Sequence, residues 1–291
     1  MNPIPPHAAS SAWFARKRSS AGFVLIICGV WTACVSALLA GDPGAIPPPL
    51  LSYSFDETGG AALEIMDDAG GGRDAVLDFP AGMEPAPSFQ AGVVGNAFDN
   101  RASTDMGLEG VGPSVLYSGF PENAFGELSA LSVVVWINAT STPGGSAQLF
   151  SIAGTVDPLI VGMPDGTKVS LQIGEKAAIF QNAQFGATDQ WIFIAMTYDA
   201  RADSQQIKCY VGIQGSDVLQ LVGARDFSQG AWDGEAKSAN WLVAIGNTPL
   251  SEKNRPFKGL IDQVRFYGSS NDETGALSQD ALETLFRADQ K

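Results

Sequence analysis

The sequence predicts an all-β fold, an antiparallel β-sandwich that ends in one short helix. Apolar residues recur at period two in many short runs, turn residues separate those runs, and helical spacing is confined to the C-terminal tail. About 240 residues beyond the N-terminal segment fit one large sandwich without a second domain.

The chain begins with Arg16, Lys17 and Arg18, an almost wholly apolar stretch from Ala21 to Ala33, and small residues in Val35-Ser36-Ala37 and Leu39-Ala40-Gly41. Basic, then apolar, then small is the order of an export signal, here residues 1–40. The apolar run continues through Leu38 and Leu39 and approaches the ~20 residues that span a bilayer, so an uncleaved membrane anchor stays open beside a cleaved signal peptide. Either way the basic flank leaves the domain outside the cytoplasm: periplasmic, cell-surface or extracellular. Residues 41–49 carry Pro43, Pro47, Pro48 and Pro49, which cannot join a sheet ladder, and are expected as an extended spacer.

The domain should then run over residues 50–288. Strands are expected at Leu51–Phe55, Val133–Ile137, Gln148–Ile152, Val169–Ile173, Trp191–Tyr198, Ile207–Ile213, Val218–Val222, Trp241–Ile245 and Leu260–Tyr267. Pro164-Asp165-Gly166 and Gly215-Ser216-Asp217 supply turn chemistry between them. Residues 70–72 and 107–126, rich in Gly and Pro, are expected as long loops or irregular edges. In the tail, Ser278 can cap a helix that places Leu277, Leu282, Leu285 and Phe286 on one face.

Composition removes several chemistries. His7 is the sole histidine, and Cys28 and Cys34 lie in the same leader, so a processed chain would hold no imidazole and only Cys209. That excludes histidine-based nucleophilic schemes, the usual zinc sites and an intrachain disulfide. Cys209 alternates with Lys208 and Tyr210 and so shares the apolar side of Ile207 and Val211, where a thiol is inert. The net charge of −14 disfavours nucleic acid and anionic lipid. Gly70-Gly71-Gly72 is followed by no apolar helix, so no phosphate-binding loop and no nucleotide are expected. Trp136 and Trp191, inside apolar strands, are expected in the space between two sheets, and Arg265 with Asp262 as a structural polar pair.

Six segments, in order, resemble laminin G-like jelly-roll domains of the concanavalin A-like lectin and glucanase superfamily: Ser52-Tyr53-Ser54-Phe55-Asp56-Glu57, Gly92-Val93-Val94-Gly95-Asn96-Ala97-Phe98, Leu131 to Asn138, Trp191 to Asp199, Ile245-Gly246-Asn247 and Gly259 to Tyr267. The likeness covers Leu50 to Ala288 and implies a concanavalin A-like jelly roll. Phe193 stands where many members have histidine, and Gln263 where they usually have glutamate.

The resemblance implies calcium as the cofactor to look for, at Asp56 and Asp262 and at the second pair Asp99 and Asn100. Turn capping and arginine pairing are the competing roles for each. Glucanases of this fold carry a Glu-x-Asp-x-x-Glu strand, which is absent, and the acidic Glu64-Ile65-Met66-Asp67-Asp68 has the wrong alternation. For ligand recognition, Trp232, Asp233 and Asn240 are the candidates, an indole to stack on a sugar ring with polar groups beside it; a tryptophan tucked into the sandwich is the alternative. The expected function is an exported, noncatalytic module that binds a glycan or a cell-surface protein, with a structural or adhesive protein, or a glycoside hydrolase using carboxylates from distant loops, as the other readings.

Overall fold

Period-two alternation becomes strands because each run buries one set of side chains against a facing layer. The computed structural model describes residues 45–57, 64–80, 82–83, 89–105, 107, 110–143, 145–248 and 255–291. Residues 1–40, read as signal or anchor, lie outside them. Its first strands are β1 Leu51–Tyr53, β2 Glu64–Ile65, β3 Ala75–Asp78, β4 Phe89–Ala91, β5 Asn96–Asp99, β6 Ser114–Gly119, β7 Gly126–Leu128, β8 Ala130–Ala139 and β9 Ala147–Ala153. There follow β10 Leu159–Asp165, β11 Lys168–Ile173, β12 Lys176–Gln181, β13 Trp191–Asp199, β14 Ile207–Ile213, β15 Leu219–Arg225, β16 Trp232–Gly234, β17 Trp241–Ile245, β18 Gly259–Ser269 and the helix α1 Gln279–Ala288.

Two large antiparallel sheets form the sandwich. The first runs β15-β14-β13-β8-β18-β5-β4, with β1 also paired to β18; the second runs β12-β11-β10-β9-β17-β6-β3-β2. A small third sheet joins β16 to β7. Val133, Val135 and Ile137 of β8 meet Leu149, Phe150, Val161 and Leu171 of the second sheet in one buried core. The expected concanavalin A-like antiparallel sandwich is what forms.

The differences from expectation are local. Within residues 107–126, expected as loop, β6 is an internal strand paired with both β17 and β3; its Val115 and Tyr117 alternate into the core, a signal that the flanking Gly and Pro obscure. Trp136 and Trp191 are buried, but in a second cluster with Phe193, Leu282 and Phe286 under α1 rather than between the sheets. On β8 the odd-numbered Val133, Val135 and Ile137 already occupy the inter-sheet face, so alternation turns Trp136 to the opposite side. Ile46, in the expected spacer, also packs on that second cluster.

Ser278 Oγ accepts from Ala281 N–H and caps α1 as expected. The far end of α1 supplies Asp289, whose carboxylate pairs with both terminal nitrogens of Arg265 at 2.8 Å and accepts from Trp136 Nε1 at 2.9 Å. Arg265 therefore pairs with Asp289, not with Asp262. Cys209 is buried in the core, where burial pushes its thiol well up.

Candidate functional site

The four residues put forward for calcium hold backbone instead. β18 bulges between Asp262 and Arg265, with Gln263 at φ 48°, where it changes partner from β5 to β1. The bulge directs the buried Asp262 carboxylate at the β4–β5 hairpin: Oδ2 accepts from Val93 N–H at 2.8 Å and Val94 N–H at 3.1 Å, and Oδ1 from Gln263 N–H at 2.7 Å. Asp56 Oδ1 accepts from Asn96 N–H at 2.7 Å across the same hairpin. A Cβ at Gly92 would lie 2.4 Å from Asp262 Oδ2, and one at Gly95 1.9 Å from Asp56 Oδ1. Both glycines are thus required by the carboxylates that grip this turn. Burial pushes the Asp262 carboxyl up to about 7, against the pull of the amides and helped by the charge of Asp56.

Asp99 is bound to Arg101 at 2.6 Å, and the buried Asn100 donates to Gly246 O and accepts from Ser103 Oγ. Both Asp262 oxygens, Asp56 Oδ1, the Asp99 carboxylate and Asn100 Oδ1 already accept from amides, a hydroxyl or a guanidinium, so these side chains are engaged in holding the local fold. Among the described residues no three His, Cys, Asp or Glu side chains are grouped to hold a metal ion.

Trp232 does not serve as a stacking platform. It is 0 % exposed, donates from Nε1 to Asp157 O, and meets Phe266 edge-on at 5.7 Å. The indole lies over Gly234, whose absent side chain leaves it room. Trp232 and Gly234 share one face of β16, a two-residue spacing visible in the sequence. Asp233 Oδ1 caps Glu235 N–H, and the exposed Asn240 accepts from Ser238 Oγ through its main-chain oxygen. Nearby, a cleft of about 500 Å³ is lined by Asp157, Glu175, Lys176 and Lys237. Lys176 Nζ there donates to Ser228 O, and Asp157 holds β16 through its main chain.

The second sheet offers a more convergent site on its outer face, which no helix covers among the described residues. Cross-strand register sets two rows there: Gln148, Gly162, Ser170 and Ile179 in one, Ser151, Ile160, Gln172 and Ala177 in the other. A bulge opposite Val161 absorbs one extra residue of β9, so Leu149 and Phe150 both stay in the core while Gln148 and Ser151 both face outward. Gly162 leaves a gap between its neighbours, and a cavity of about 200 Å³ opens there. Gln148, Ile160, Ser170, Gln172, Ile179 and Arg255 are among its walls, and among the described residues no carboxylate lines it.

Two buried polar atoms on this face lack a hydrogen-bond partner, Gln148 Oε1 and Ser151 Oγ. Gln148 is only 6 % exposed, so an unpaired amide oxygen there costs roughly 1–3 kcal/mol unless something donates to it. Arg255 is brought to the rim by its backbone. Its N–H donates to Asn247 Oδ1 at 2.6 Å, and its carbonyl accepts from Gln148 N–H at 2.9 Å. Sequence reasoning missed this site because its residues are plain amides, hydroxyls and glycine; the readable trace was Gly162 at an outward position of β10, between the core residues Val161 and Met163.

Comparisons with known proteins agree with this architecture. No curated protein matches the sequence significantly. Domain 4 of AbnA, a GH43 extracellular arabinanase from Geobacillus stearothermophilus solved with arabinotriose, superposes with a TM-score of 0.52 at 17 % identity, over 81 % of this chain and 97 % of that one. The binding domain of botulinum neurotoxin DC, solved with rat synaptotagmin II, gives 0.52 at 13 % identity over 84 % of this chain. The binding domain of Paraclostridial Mosquitocidal Protein 1 gives 0.51 at 14 % over 83 %. This chain spans only 52 % of each of the two toxin structures. These likenesses establish the fold. The laminin G type 3 family model of the concanavalin A-like lectin/glucanases superfamily matches residues 117–274, more than half of the sequence, and the chain belongs to that family.

Proposed function

We propose that the protein is an exported, noncatalytic binding module that takes a glycan on the outer face of its second sheet. The observation that carries this reading is the cavity over β9–β12, where the unpartnered Gln148 Oε1 stands among amide, hydroxyl and aliphatic side chains. Sugar recognition needs that mixture: polar groups to exchange hydrogen bonds with ring hydroxyls, and apolar carbons such as Ile160 and Ile179 against the ring's C–H face. About 200 Å³ lies below the roughly 300–1,000 Å³ of a drug-sized pocket, which suits one sugar ring.

The noncatalytic reading fits the described cavity walls, among which no carboxyl pair of the roughly 5–10 Å spacing used in glycoside hydrolysis is found. Asp56 and Asp262, which are close enough to interact electrostatically, are spent on hairpin amides. The likeness to a domain of an arabinanase solved with arabinotriose supports the glycan over the protein ligand, while the toxin domain solved with synaptotagmin II keeps a protein partner as the second reading.

A glycan array probed with the purified protein, with calcium and again with chelator, tests both parts. Specific binding that Gln148→Ala weakens is the expected result. Silence on every glycan in both conditions would turn the reading towards a protein partner, and binding lost only in chelator would restore a role for calcium.

A further inference from the structure

The cavity sits in a strongly acidic chain, with 31 Asp and Glu against 17 Lys and Arg, yet the one charged side chain among its described walls is the guanidinium of Arg255. From this, and resting on the glycan reading above, we infer that the site selects a saccharide carrying a single acidic group, bound by Arg255 while Gln148 and Ser170 read neighbouring hydroxyls.

Position is the first argument. Arg255 is held to β9 through Gln148 N–H and to the buried Asn247 through its own N–H, so its side chain starts from a fixed point at the edge of the row that contains Gln148, Gly162 and Ser170. Asn247 is itself anchored, donating to Gly112 O at 2.8 Å and accepting from Thr248 N–H at 2.8 Å. A planar fork of N–H donors held this way matches the two oxygens of an acidic substituent. The unpartnered Gln148 Oε1 is the second, independent observation. It requires a donor, which a sugar hydroxyl is and a bare inorganic anion is not.

Charge sets the upper bound on the ligand. A net charge of −14 repels a polyanion over distances of about a Debye length, roughly 8 Å at physiological salt. One acidic group on an otherwise neutral chain gains the local contact with Arg255 and suffers least from the field. Heavily sulfated or polyuronate chains suffer most.

The test is binding of the purified protein to matched pairs: neutral oligosaccharides, the same oligosaccharides bearing one uronic acid, and the same bearing one sulfate. The acidic members should bind about tenfold more tightly than their neutral partners, the scale of one charge-assisted hydrogen-bonded contact. Arg255→Gln should erase that preference at an unchanged melting temperature, and Arg255→Lys should keep part of it. Carboxylate against sulfate within a set identifies the acidic group. Equal binding of neutral and acidic members, or a preference that survives Arg255→Gln, would overturn the inference and leave the glycan reading intact. Binding to no saccharide at all would overturn both.

Discussion

Asp262 is where side-chain chemistry most directly decides the local fold. Oδ2 accepts two hairpin amides and Oδ1 only one, so a proton can reside on Oδ1 without breaking a contact. Burial raises its carboxyl from the ordinary value of 3.8 to about 7. A folded-state value raised above the unfolded one means that the folded chain holds the extra proton. The contribution is full below about pH 4 and is lost as the pH rises through about 7. The expected outcome in thermal melts is a fall in stability between pH 5 and pH 8 that is shallower in Asp262→Asn. That variant, with an NH₂ facing backbone donors, should also lose about 1–3 kcal/mol overall. Equal pH slopes in the two proteins would contradict the assignment.

At the scale of elements, α1 is secured by one buried ion pair and one aromatic stack. Phe286 stacks on Trp136 at 5.5 Å, and its ring lies where a Cβ on Gly212 would be 2.4 Å away. Asp289 is 6 % exposed and Arg265 14 %. Asp289→Ala would strand a mostly buried guanidinium, and urea unfolding should show a loss of about 3 kcal/mol. The second prediction concerns β10. Gly162 is flanked by Gln148 and Ser170, and the nearest atom to a built Cβ is Ala147 O at 3.1 Å. Gly162→Val should keep the strand, since β-branched residues suit sheets, yet fill the cavity and abolish glycan binding. Retained binding in titration calorimetry would place the ligand elsewhere.

The legible elements were those whose alternation is uninterrupted. β14 and β17 carry the expected bounds, and α1 starts at its expected cap. β6 was hidden by flanking Gly and Pro, and β10 by Gly162 and Pro164, residues that elsewhere punctuate loops. The motif residues Asp56, Gly92, Gly95 and Asp262 were visible individually, but only tertiary pairing over a separation of more than 160 positions shows them serving one turn. The site proved least legible, since Gln148, Gly162 and Ser170 meet through register rather than spacing.

For the whole molecule, the order of strands in space departs sharply from their order in the chain. β18, at residues 259–269, lies between β8 on one side and β5 and β1 on the other, with Leu51 opposite Phe266. A chain ending at Lys258 is therefore expected to give no cooperative melt, because the first sheet would lack its interior strand and part of the core, Ile261, Val264 and Phe266. The same arrangement has a consequence in time. As the chain is synthesised from its N-terminus, the sandwich cannot close until residues 259–269 have emerged, and such distant pairings make folding slow. Until β18 emerges, β1, β5 and β8 have no common neighbour to pair with, and the first sheet exists only as separate pieces.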